Sequence, residues 1–183
     1  MVRMMLNQVV NEIADFLKEF DSKKPIHKKF RPGIGPFGEP QIIKEIAKGL
    51  SIKGKQTKTY RIPDLAIEKD WAIKFKIVRP FGDNGNEAED WSVNLLHPYE
   101  GNISLLGDCR KLQKLEGYSN KAVIVLGYEH DPVRISLDPL VRSFEIIASQ
   151  VMGIKLSARV EQIRSGLVHP VHQVVRVIGW QLL

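Results

Sequence analysis

Three ionisable side chains interrupt an apolar pattern in the stretch Arg61-Ile-Pro-Asp-Leu-Ala-Ile-Glu-Lys-Asp-Trp-Ala-Ile-Lys-Phe-Lys76: Asp64, Lys74 and Lys76. Buried charges are costly unless they are paired or bound to a metal, so three on one short segment point to a site. Carboxylates and lysines are side chains that phosphodiester hydrolysis, among other reactions, draws on. Phosphodiester hydrolysis develops negative charge on the phosphoryl oxygens and needs an activated water. A divalent ion held by carboxylates supplies both, and a nearby lysine orients the water or stabilises the developing charge.

The elements that must position these groups follow from periodicity. Ile62 to Ile67 and Ala72 to Val78 read as two strands of a hairpin around Glu68-Lys69-Asp70. Strand alternation puts Trp71, Ile73, Phe75 and Ile77 on one face, and Ala72, Lys74, Lys76 and Val78 on the other. With that loop, Asp64 lies directly across from Lys74, and one patch holds a carboxylate and two lysines. Glu68 shares Asp64's face but lies roughly 13 Å along the strand, too far to share one ion with it.

Upstream, Leu6, Val9, Val10, Ile13, Phe16, Leu17 and Phe20 form the stripe of an amphipathic helix. A basic connector, Asp21 to Arg31, is either a solvated linker or a phosphate-contacting arm. The turn-rich run Pro32 to Pro40 feeds a second helix with Ile42, Ile43, Ile46, Ala47 and Leu50 inward. Glu39 sits at the positive end of that helix dipole. The run matches neither the dinucleotide nor the P-loop fingerprint. Ile52 to Thr59 reads as a polar edge strand.

Downstream, Arg79 to Ile103 is a long, weakly periodic stretch holding Trp91 and His97-Pro-Tyr-Glu-Gly-Asn102, and is expected to face substrate. Ser104 caps a helix running to about Glu116, with Leu105, Cys109, Leu112 and Leu115 inward and Gly117 as terminator. Asp108 and Lys111 share another face of it and read as a helical surface ion pair. Lys121 to Tyr128 is a strand buried on both faces. Asp138-Pro139 caps a helix that ends at Gly153, and Leu156 to Ile163 and Val174 to Leu182 read as two closing strands.

The order helix, three strands, helix, strand over residues 40 to 128 resembles the αβββαβ core of the restriction-endonuclease-like nucleases, the PD-(D/E)XK superfamily. The resemblance is strongest over residues 30 to 128. It rests on Gly35-Pro-Phe-Gly-Glu-Pro40, Pro63-Asp64, Lys74-Phe-Lys-Ile-Val-Arg-Pro-Phe-Gly-Asp-Asn-Gly85 and Gly107-Asp-Cys-Arg-Lys-Leu112, which look like a prokaryotic branch of that superfamily. It implies an α/β fold with a mixed central sheet flanked by helices, in one domain spanning 1–183 with its core at about 32–153. An N-terminal helix and a C-terminal strand pair are added to that core.

The resemblance further implies a metal-dependent endonuclease acting on DNA, with RNA as a second candidate. Asp64 would be the metal-ligating aspartate, Lys76 the motif lysine, and Glu39 the accessory helical glutamate, with Mg²⁺ or Mn²⁺ as cofactor. Arg79, Asn84 and Lys111 would contact nucleic acid. By analogy, duplex cutting from so small a core implies a homodimer. Lys74 occupies the remaining ligand position of the motif, where the family has an acid. That change moves the local charge by two units and removes an oxygen ligand that hard cations need. A pseudo-nuclease, a carboxylate supplied from elsewhere (Glu39 or Asp83), and an inactivating substitution all account for it.

Composition agrees with a globular chain carrying a polyanionic partner. Of 183 residues 43% are hydrophobic and 26% charged, and the formal net charge is +6. Cys109 is the sole cysteine, so no internal disulfide forms, and a cytoplasmic setting is expected. The first twenty residues are periodic rather than continuously apolar, so no membrane association is expected. Five scattered histidines lack metal-ligand spacing, and no Ser or Cys nucleophile has an adjacent base. Two further classes stand beside the nuclease: a binding module in which Lys74, Lys76 and Arg79 hold phosphates without cutting, and an oligomeric interaction protein.

Overall fold

The computed structural model describes residues 4–99 and 103–183. Its elements are α1 (Leu6–Ser22), α2 (Glu39–Ile52), β1 (Thr57–Thr59), β2 (Leu65–Ile67), β3 (Trp71–Val78), α3 (Val93–Leu96), α4 (Leu105–Gln113), β4 (Asn120–Glu129), α5 (Asp138–Ile146), β5 (Val160–Ser165) and β6 (Val174–Gln181). A π-helical turn, Ile147–Val151, extends α5. The strands form one mixed sheet in the order β1-β2-β3-β4-β6-β5. β3 and β4 are parallel, with α3 and α4 in the crossover between them, and every other pairing is antiparallel. The fold is therefore α/β, with helices on both faces of the sheet. Among the described residues no helix is long and apolar enough to cross a membrane.

Strand alternation divides the core into two layers. Ile73 and Phe75 of β3, Ile124 and Tyr128 of β4 and Val175 and Val177 of β6 pack against the stripes of α1 and α2. Ala72 and Val78, Val123 and Val125, and Ile178 and Trp180 face the opposite way, onto α4 and α5. Lys74 and Lys76 share that second face by alternation, which turns them toward α4.

Several boundaries differ from those expected. Ile52 closes α2 instead of opening a strand, and β1 keeps only Thr57–Thr59. β2 begins at Leu65, so Ile62 to Asp64 lie outside it. The short helix α3 and a bridge between Phe81 and Glu87 structure the stretch read as irregular. Glu100, Gly101 and Asn102 of that stretch lie outside the described residues. α4 stops at Gln113, before Glu116. The N-cap of α5 is Leu137, with Asp138 its first residue. β5 starts at Val160, while Leu156 makes only an isolated bridge to Leu182.

Buried polar contacts fix the approach to α2. Asp21, at the end of α1, accepts the Ile34 amide at 2.9 Å through one oxygen and the Val168 amide at 2.7 Å through the other. Arg79 donates to the Phe37 carbonyl with one terminal nitrogen, and its guanidinium carbon lies 5.4 Å from the centre of the Tyr128 ring. Gly35 passes so close to His172 that a Cβ there would stand 2.4 Å from the ring. These anchors set where Glu39 begins its helix.

Candidate active site at the exposed margin of β3

The site grows out of a gap in strand pairing. β2 covers β3 only from Trp71 to Ile73. Alternate amides of β3 beyond that point still face the same side and need acceptors. The Asp64 amide donates to the Ile73 carbonyl at 3.0 Å, which carries the register one step further and sets Asp64 opposite Lys74. The Phe75 amide then donates to Asp64 Oδ2 at 2.8 Å, and the Ile77 amide to Glu39 Oε2 at 3.3 Å. Two carboxylates thus stand where a longer partner strand would have supplied carbonyls.

Their second oxygens meet the lysines. Asp64 Oδ1 is ion-paired with Lys74 Nζ, and Glu39 Oε1 lies 3.2 Å from Lys76 Nζ. A third acid closes the cluster from α4. Asp108 is 1% exposed; its Oδ2 lies 3.0 Å from Lys76 Nζ, its Oδ1 lies 4.0 Å from Lys74 Nζ, and Lys111 Nζ is 2.7 Å from Oδ1. The contact between Asp108 Oδ2 and Lys76 is electrostatic, because that oxygen has no aligned hydrogen-bond donor. The cluster alternates in sign and is formally neutral: Glu39, Asp64 and Asp108 against Lys74, Lys76 and Lys111.

Asp108 was legible only as half of a helical surface pair with Lys111. That pair forms at 2.7 Å, but Asp108 is buried rather than on the surface, because α4 lies over β3 and turns it onto the lysines of the sheet. The Ser104 cap, accepting the Gly107 amide at 3.1 Å, fixes the helix start that puts it there. Burial by itself draws the Lys76 ammonium toward deprotonation, but Glu39 and Asp108 together outweigh it and hold its pKa above the ordinary lysine value. At Glu39 burial wins over the attraction of Lys76 and raises the carboxyl above its usual range. The two shifts act in opposite senses on the ion pair. Lys76 is the firmer, since two carboxylates serve it and Glu39 has one lysine.

These groups form part of the wall of a cleft of about 730 Å³, lined further by Lys44, Tyr60, Arg61 and Ile103. Of the residues expected at the site, Glu39, Asp64, Lys74, Lys76 and Lys111 all reach it. Arg79 and Asn84 do not. The Arg79 guanidinium is committed to Phe37 and Tyr128, in a neighbouring pocket of about 360 Å³ that also contains Glu39 and Asp83. Asn84 accepts the Asn86 amide at 3.0 Å within its own turn. Asp83 is taken by His172, whose Nε2 lies 3.0 Å from its carboxylate. Glu39 and Asp108 thus both join the cluster from outside the hairpin, and Asp83 does not.

As the side chains stand, they do not fit a divalent ion. Lys74 Nζ touches Asp64 and faces Asp108, the position from which a cation would meet both. Among the described residues no three of His, Cys, Asp and Glu are gathered closely enough to hold one ion. A divalent ion 4 Å from the ammonium would meet repulsion of about 8 kcal/mol at an effective dielectric near 20. No family model matches this chain, and neither the curated proteins nor the solved structures compared with it give a match.

Proposed function

We propose that this is a DNA-acting protein of the restriction-endonuclease-like, PD-(D/E)XK kind, in which the Lys74 ammonium takes the place of the divalent ion, so that the chain holds phosphodiesters without cutting them. The observation that carries this reading is the convergence of Asp64, Glu39 and Asp108 on one cleft, from the β2 margin, α2 and α4, with Lys74 between two of them. The order α2, β1, β2, β3, α4, β4, interrupted only by the four-residue α3 before α4, supports the αβββαβ reading of the fold.

In this reading each group has a defined task. Asp64 and Glu39 cap the β3 amides and orient the two sheet lysines. Asp108 neutralises Lys76 and holds it upright in the cleft. Lys111, about one third exposed, reaches the cleft mouth, where a phosphate oxygen can exchange for Asp108 as its partner. In the family pattern Mg²⁺ or Mn²⁺ supplies Lewis-acid stabilisation and an activated water. With Lys74 in place, that chemistry is closed to this chain.

The test compares the unchanged chain with Lys74→Glu on plasmid DNA with Mg²⁺ and with Mn²⁺. The unchanged chain is expected to retard DNA in a salt-dependent way and to leave it intact, and the variant to cleave it. Cleavage by the unchanged chain would overturn the role given to Lys74. Absence of salt-sensitive DNA binding by both proteins would overturn the whole reading.

A further inference from the structure

A second cleft opens beside the first on the β1–β2 margin of the sheet, and the two share Tyr60 as a wall. The second has a volume of about 640 Å³ and is lined by Lys58, Glu68, Lys69 and Tyr118 among others. Tyr60 is 50% exposed, on the segment that leads from β1 toward Asp64. Tyr118 is half-buried across the second cleft. Its phenol is held above the ordinary value, by burial first and by Tyr60, which lines the same cleft, second.

Charge follows the same line. The floor of the first cleft balances its three acids with three lysines, which leaves Lys44 and Arg61 in excess on its walls. In the second cleft Lys58 and Lys69 outnumber Glu68. Cations spaced along a path with aromatic faces between them are what an unpaired polynucleotide requires: phosphates follow the charge and bases stack on the rings. A duplex suits the path poorly. Lys76 and Asp108 are only 7% and 1% exposed, at the bottom of a recess. Duplex DNA is stiff over about 150 base pairs, and its paired bases offer no free face for stacking.

We infer that the ligand is single-stranded DNA, laid from the lysine–carboxylate floor across Tyr60 to Tyr118, with phosphates on Lys44, Arg61, Lys58 and Lys69 and bases stacked on the two phenol rings. This rests on the reading of the first cleft as a phosphodiester site and adds the form of the nucleic acid.

Fluorescence anisotropy with a labelled single-stranded oligodeoxynucleotide, and with the same sequence closed as a hairpin duplex, tests it. The unchanged chain is expected to bind the single strand at least ten-fold more tightly. Tyr60→Ala should weaken single-strand binding roughly ten-fold and duplex binding by clearly less, since stacking is worth about that much per base and paired bases offer no free face. Tyr60→Phe, which keeps the ring, should bind as the unchanged chain does. Equal affinity for both forms, or an unaffected Tyr60→Ala, overturns the single-strand assignment while DNA binding at the first cleft stands. Failure to bind either form at low salt overturns both.

Discussion

Asp108 Oδ2 lies 3.0 Å from Lys76 Nζ, joining a helix to the middle of the sheet through two side chains that are almost wholly buried. Breaking a buried ion pair from one side leaves the other charge uncompensated, which costs more than the pair itself contributes. Asp108→Asn keeps the shape and removes the charge that serves Lys76, Lys74 and Lys111. A loss of about 3 kcal/mol is expected, read as a lower urea midpoint at unchanged slope. Glu39→Gln, whose side chain is 29% exposed, keeps a hydrogen-bonding oxygen and should lose about 1 kcal/mol. Equal losses from both variants would show that Asp108 has no special weight in the network.

His172 gives the fold an acid limit. Burial lowers its pKa to about 4 against the opposing pull of the Asp83 hydrogen bond, and Arg79 and His169 push the same way as burial. The His169 ring stacks on it at 4.8 Å between centroids. A histidine depressed in the folded state binds fewer protons folded than unfolded, so stability rises with pH across the interval. The contribution is fully present above the ordinary value of 6.5 and is lost as pH falls toward 4. The span corresponds to about 3 kcal/mol. His172→Gln should flatten the stability profile between those limits, and an unchanged acid slope would assign it to other groups.

Gly35 is the tightest backbone approach near the site. A Cβ there would stand 2.4 Å from His172 Cδ2 and 2.6 Å from its Cβ, and the ring is too enclosed to withdraw. Gly35→Ala should cost about 2 kcal/mol through overpacking. Because the strain falls four residues before Glu39, it should also weaken DNA retention.

The hairpin was readable because strand alternation is a local property. Lys74 and Lys76 differ by two positions and share a face, and the loop Glu68-Lys69-Asp70 sets Asp64 against Lys74. Glu39 was readable from Pro40 and the dipole of the helix that follows. Asp108 was not, for a physical reason. In a helix it lies beside the Leu105–Cys109–Leu112 stripe, and Lys111 one turn away gives it a sufficient local partner. Only the seating of α4 across β3 brings in Lys76, and that contact spans 32 residues of chain. The intramolecular partners of Arg79 and Asn84 were hidden in the same way. A cation and an amide on a loop look available until the Phe37 carbonyl and the Asn86 amide claim them.

The gap left by the short β2 strand gives two of the acids a duty independent of any reaction. Asp64 and Glu39 terminate a sheet edge by accepting the Phe75 and Ile77 amides, so folding alone demands an acceptor at each position. A change at residue 74 therefore leaves both of these backbone duties in place, and the scaffold continues to require the two acids. Their presence marks the architecture.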